Sequence, residues 1–86
     1  MKVRVPTPLH SYTANRALVA ACGANVDQVM RDLDRQYPGI RFRVIDEQDR
    51  IRPHVKFFVN KAQTFDLTHP LQDTDELVIV QAFSGG

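Results

Sequence analysis

The chain predicts an α+β fold: a small mixed sheet of four to five strands covered by one helix. Three observations lead there. Val26, Val29, Met30, Leu33 and Tyr37 recur at helical spacing and give the chain one clear amphipathic helix. Strand signals stand at both ends, in Lys2-Val3-Arg4-Val5 and in Leu77-Val78-Ile79-Val80-Gln81-Ala82-Phe83. With 86 residues the chain is long enough for one thin core, so a single helix must cover one face of the sheet.

Taken in order, Val3 and Val5 alternate with charged residues and are expected to face inward. Pro6 and Pro8 end that strand, because neither can donate to a ladder. A second short strand is expected over Arg16-Ala17-Leu18-Val19-Ala20-Ala21, stopped by Cys22-Gly23-Ala24. Asn25 is a good N-cap with Gln28 three residues on, the capping-box spacing, and Pro38-Gly39 stops the helix. Asp27 precedes Arg31 by four residues, a favourable surface pair. In the stretch 40–54, Arg41-Phe42-Arg43-Val44 and Arg50-Ile51-Arg52 alternate around a polar cluster, which reads as a loose hairpin or structured loop. Val55-Lys56-Phe57-Phe58-Val59 is a strand by its β-branched and aromatic content, Asn60-Lys61 a turn, and Gln63-Thr64-Phe65 a short strand. Placing the first and last strands side by side in the centre gives a mixed sheet around the helix stripe, the β-grasp arrangement. Residues 1–86 are expected to form one such domain with a flexible tail over 83–86.

Composition narrows the function. The net charge of +1 gives no bulk electrostatic argument for nucleic acid or membrane partners, and both are expected to be absent. No stretch reaches the length of a membrane span, the first residues lack a signal-peptide apolar region, and the lone Cys22 cannot form an internal disulfide. A cytoplasmic location is expected. Cys22 is expected to be buried. His10, His54 and His69 have no metal-ligand spacing and are expected in solvated loops. Arg41, Arg43, Arg50 and Arg52 are expected to pair with Asp46, Glu47 and Asp49 among them. No constellation of nucleophile, base and oxyanion donor is present, so the chain is not expected to be an enzyme, nor to hold a cofactor or metal.

The informative feature is the end, Phe83-Ser84-Gly85-Gly86. Two glycines order at high entropic cost, yet they fit a slot too narrow for other residues. Extended, the four residues reach at most about 13–14 Å, a length suited to entering another protein's active site. The expectation is that the Gly86 carboxylate is the reactive group, with Gly85 supplying slimness. A carboxylate is a poor electrophile; activation by ATP as an acyl-adenylate makes it reactive, and attack by sulfur then leaves a thiocarboxylate. A partner enzyme must perform that activation. On the sheet, alternation places Val55, Phe57 and Val59 toward the helix and Lys56 and Phe58 away from it. Val78 and Val80 are expected on the same outer face as Phe58, forming an apolar patch that leads to Phe83 and Ser84. The competing expectation covers that patch with the stretch 40–54.

The stations Asn25 to Leu33, Tyr37-Pro38-Gly39, Phe57-Phe58-Val59-Asn60, Asp73-Thr74-Asp75-Glu76-Leu77 and Phe83-Ser84-Gly85-Gly86 come in one order across nearly the whole chain. In this the chain resembles the MoaD/ThiS family of ubiquitin-like sulfur carriers. The resemblance implies adenylation of Gly86 by an E1-like enzyme of the MoeB/ThiF type, which uses ATP, conversion to a thiocarboxylate, and delivery to a sulfur-accepting synthase. It implies that the last strand and tail dock on the activating partner, and Phe58, Val78, Val80, Phe83 and Ser84 are the residues expected to make that contact. The acceptor pathway is expected to be cysteine or molybdopterin synthesis, with thiazole and tRNA thiolation as further destinations. A ubiquitin-like modifier joined to lysines is the alternative; a β-grasp interaction module without tail chemistry is another. Two departures stand out. Thr74 occupies a turn position where the family often has glycine, which predicts a type I turn, and Lys61 follows Asn60 where the family's hairpin has glycine.

Overall fold

The computed structural model describes residues 1–82. Its elements are β1 (Lys2–Arg4), β2 (Leu18–Ala20), α1 (Val26–Gln36), α2 (Ile40–Val44), β3 (Val55–Val59), β4 (Ala62–Thr64) and β5 (Glu76–Gln81). The five strands form one sheet in the order β2-β1-β5-β3-β4. The first and last strands lie side by side in the centre and run parallel, while the other pairs are antiparallel. This is the mixed β-grasp sheet that the sequence predicts.

Helix α1 begins where its cap dictates. The Asn25 side chain accepts the Gln28 backbone N–H at 2.8 Å. The Gln28 side chain reaches back as well, but accepts the N–H of Ala24 at 2.9 Å, one residue before the cap. Val26, Val29, Met30 and Leu33 are fully buried against the inner face of the sheet, where Val3, Val19, Val55, Phe57, Leu77 and Ile79 point. Alternation holds in both long strands: β3 buries Val55, Phe57 and Val59, and β5 buries Leu77 and Ile79.

The stretch 40–54 departs from expectation. Ile40–Val44 is a short helix, not an alternating strand. The reason lies in α1. Gly39 turns the chain at φ 96°, a left-handed conformation that disfavours a side chain, and the Asp34 carboxylate accepts the N–H groups of Gly39 and Arg41 at 3.1 and 3.2 Å. That seeds a turn burying Ile40 and Val44, which are four residues apart. The hairpin survives in part: Ile45 bridges Ile51 around a turn closed by Asp46, whose carboxylate accepts the N–H groups of Gln48 and Arg50. These backbone donors, Arg50 first, hold Asp46 below the usual carboxylate range.

Other elements shift more modestly. The second strand covers Leu18–Ala20 only, and β4 ends at Thr64, leaving Phe65 exposed. After Pro6 the chain makes a 3₁₀ turn, Thr7–Leu9, that drops Leu9 into the core; the prolines marked the strand's end but not this turn. The turn Gln72–Asp75 closes with a 2.9 Å bond from the Asp75 N–H to the Gln72 carbonyl, and neither Asp73 nor Thr74 has positive φ, consistent with the type I expectation.

Candidate functional site

Period two along β3 and β5 decides which side chains the sheet offers to a partner. Phe58 lies directly opposite Val78 across the β3–β5 ladder, and Lys56 opposite Val80. All four stand on the face turned away from α1. Phe58 and Val78 are half-buried, and Val80 is 38% exposed. The same row continues through Arg4, which registers with both Val78 and Leu18, and Leu18 is itself exposed. The apolar residues of the stretch 40–54 turn elsewhere: Ile40, Val44 and Ile45 lie in the core, Ile51 packs against it, and Phe42 is exposed beside Arg52. The structure thus brings Phe58, Val78 and Val80 together. Phe83, Ser84, Gly85 and Gly86 lie outside the described residues.

Beside this face runs an open groove of about 430 Å³. Its walls are Val5, Pro6 and Pro8 on one side and Val78 to Gln81 on the other. It exists because β1 peels away at Pro6 while β5 continues three residues past the last β1 pairing at Val78. The sequence reading missed Leu18 and this groove. The signal for the groove was the pair of prolines, which end β1 before β5 ends.

The strand end itself is tied down. The Ala82 N–H donates to the His54 carbonyl at 2.9 Å, so the chain leaves the sheet beside the segment that carries Arg52 and His54. A small pocket there is lined by Phe42, Arg43, Arg52, His54 and Gln81. The Arg52 guanidinium lies 4.6 Å from the centroid of the Phe42 ring and donates from Nε to the Phe42 carbonyl.

Several sequence expectations change. Cys22 is exposed, not buried, because it sits on the connection into α1; its thiol and backbone N–H both face the Asp32 carboxylate. Asp32 is held below the usual carboxylate range, first by Arg35 and then by that backbone donor. The arginines divide. Arg41 pairs with Asp49 as expected, but also with Asp27, which bonds Arg31 too. Burial pushes the Asp27 carboxyl up, and the hydrogen bonds from Arg31 and Arg41 outweigh it, so the net shift is downward. Arg43 and Arg52 form no ion pair among the described residues. The three histidines are half-buried, and the His10 ring contacts the Val5 carbonyl at 3.0 Å. Among the described residues no group of three His, Cys, Asp or Glu side chains is placed to hold a metal, and no helix is long and apolar enough to cross a membrane.

A mixed β-grasp sheet with one amphipathic helix, an open apolar outer face and a terminal diglycine defines the architecture of ubiquitin-like sulfur carriers. The ThiS family model matches residues 3–86, and the chain belongs to the ThiS family. It is 30% identical over 89 residues to the sulfur carrier protein CysO of Mycobacterium tuberculosis, covering 98% of this chain and 96% of the relative. Among solved structures, a chain of the Amycolatopsis orientalis BexX/CysO complex superposes with a TM-score of 0.90 at 28% identity, covering 99% of this chain and 98% of the other. The small archaeal modifier protein 1 of Methanosarcina acetivorans, at 22% identity and a TM-score of 0.81 over 99% of this chain and 94% of that one, shares the fold.

Proposed function

We propose that this ThiS-family chain is a sulfur carrier of the CysO type, loaded at Gly86 and docked on its enzymes through Phe58, Val78, Val80, Phe83 and Ser84. The observation that carries the reading is the outward pair Val78 and Val80 on β5, with Phe58 of β3 opposite Val78, a few residues before Phe83-Ser84-Gly85-Gly86 in the sequence. A surface for recognition and a group for chemistry are thus close together in the chain. The family match and the similarity to CysO support it.

In this reading a Gly86 carboxylate oxygen attacks the α-phosphorus of ATP on an E1-like adenylating enzyme of the MoeB/ThiF type, and pyrophosphate leaves. Hydrosulfide then attacks the acyl carbon, AMP leaves with the C–O bond electrons, and the thiocarboxylate remains. The carrier supplies the carboxylate and the fit; ATP and the catalytic groups are the partner's. Gly85 contributes the absence of a side chain, so that the last residues pass a narrow entrance. A sulfur-accepting synthase then takes the sulfur, and the CysO likeness favours an acceptor in cysteine synthesis.

Intact mass tests this directly. Incubation with ATP, sulfide and the adenylating enzyme of the same organism is expected to add the mass difference of one sulfur replacing one oxygen. The Gly86 deletion is expected to show no gain. A wild-type protein that stays unmodified with an enzyme competent on its own carrier would refute the loading; high-mass lysine conjugates in cells would assign the tail to protein modification instead.

A further inference from the structure

Strand β5 outruns β1, and the main chain shows why no further rung joins them. The Ala82 N–H donates to the His54 carbonyl at 2.9 Å, and the Glu76 carbonyl accepts the Asn60 N–H at 3.0 Å. Even-numbered residues of β5 therefore turn their main-chain groups toward β3, and Leu77, Ile79 and Gln81 turn theirs toward β1. Within β1 the odd residues bond β2, as the Val5 N–H does to the Ala17 carbonyl at 2.8 Å. Arg4, registered with Val78, thus sits between Leu77 and Ile79 in the parallel ladder. The next rung would set Pro6 between Ile79 and Gln81, and it fails on both sides. Pro6 has no N–H to give the Ile79 carbonyl. Its own carbonyl already accepts the Leu9 N–H at 2.9 Å. The Ile79 carbonyl and the Gln81 N–H are left facing the open groove, without a partner there among the described residues.

Building on the carrier reading above, we propose that an extended segment of the adenylating enzyme adds to the sheet here, in the place beside β5 that β1 gives up at Pro6. The free groups specify that occupant. A carbonyl and an N–H two residues apart on one strand edge are matched by the N–H and C=O of another extended main chain. The Ile79 side chain is buried in the core, so at this position β5 offers a partner its main chain alone. Val5, Pro6, Pro8 and Val80 wall the groove and accept an apolar side chain from the added strand. Val78 and Val80 belong to the groove and to the outward row alike, so the strand continues the same contact. An apolar row permits sliding along the sheet; a rung at Ile79 and Gln81 does not, because strand pairing steps by two residues. The rung therefore fixes where Ala82, and the sequence after it, stands relative to the enzyme.

The test is ATP–pyrophosphate exchange by the adenylating enzyme of the same organism, with carrier concentration varied. Gln81→Pro removes the N–H that faces the groove and none that bonds β3, a position where a strand edge tolerates proline. Gln81→Ala shortens the same side chain and keeps the N–H. The KM of Q81P for the enzyme is expected to lie about fivefold or more above that of Q81A, with kcat alike and both variants folded in thermal melts. Amide hydrogen exchange on the wild-type chain needs no variant and decides alone if Q81P fails to fold. The Gln81 amide is expected to exchange fast in the free chain and to be protected in the complex with the enzyme. The Ala82 amide, bonded to His54, is expected to be protected in both. Equal KM values for Q81P and Q81A, or a Gln81 amide still unprotected in the complex, overturn the added strand and leave the carrier reading intact. A Gln81 amide already protected in the free chain also overturns it: protection that rises with concentration assigns the groove to a second copy, and protection lost on deleting residues 83–86 assigns it to the tail. No pyrophosphate exchange with the wild-type chain overturns the carrier reading and the added strand together.

Discussion

Gly23 leaves no room for a side chain. A Cβ built there would meet the Val29 backbone nitrogen at 2.6 Å and the Gln28 carbonyl carbon at 2.8 Å, both main chain of the first turn of α1. Main chain cannot swing aside as a long side chain does, so the connection from β2 must pass this close only with glycine. Gly23→Ala is expected to destabilise the fold by about 1–3 kcal/mol, read as a shift of the urea midpoint with unchanged slope. An unchanged midpoint would mean that the approach relaxes without cost. In the sequence Gly23 read only as a break after the second strand; its packing role depends on where α1 starts, which no local pattern states.

Between elements, one guanidinium holds three pieces together. Arg41 on α2 bonds Asp27 on α1 at 2.7 Å and Asp49 in the following turn at 3.0 Å, with its own side chain only 16% exposed. Because the folded Asp27 carboxyl is lowered, the unfolded chain binds its proton first as pH falls. The associated stability is fully present above the unfolded value near 4 and is lost as pH falls through the lower, folded value. Melting temperatures between about pH 7 and pH 2 are expected to drop more steeply for wild type than for Asp27→Asn, which is less stable at pH 7 and flatter below pH 4. Parallel acid limbs for the two proteins would remove Asp27 from the acid transition. This cluster also explains what the sequence hid. Arg41-Phe42-Arg43-Val44 fits a strand's period of two, yet Ile40 and Val44 fit a helix's i, i+4 equally well, and five residues cannot separate the two periods. Asp34, on α1, decides by accepting the N–H groups that open α2. By contrast, α1 and β3 were legible because cap, stripe and alternation all agree within their own residues, and Asn60-Lys61 because two consecutive residues at φ 48° and 74° make the hairpin turn that Asn favours. The outer apolar face was legible for the same reason as β3.

At the scale of the whole molecule, the proposed function assigns stability to one face of the sheet and recognition to the other, and two consecutive phenylalanines test that division. Phe57 is fully buried beneath α1, whereas Phe58 faces outward opposite Val78. Truncating Phe57 to alanine empties a core site and is expected to cost about 3–5 kcal/mol, a large share of the total for a domain of this size. Phe58→Ala removes contact area from a half-solvated face and is expected to cost less than about 1.5 kcal/mol. The two are expected to reverse order in partner assays. Phe58→Ala raises the KM for carrier in pyrophosphate exchange while the protein stays folded. Phe57→Ala, assayed below its lowered melting temperature, keeps a near-normal KM because the outer face is unchanged. Circular dichroism melts run beside the exchange assay give both readouts on the same samples. If Phe58→Ala proved the more destabilising, or left KM untouched, the outer face would be structural and docking would belong to the tail alone. If both variants lost stability and affinity together, the sheet would be a single cooperative surface, and neither face could be tuned without the other.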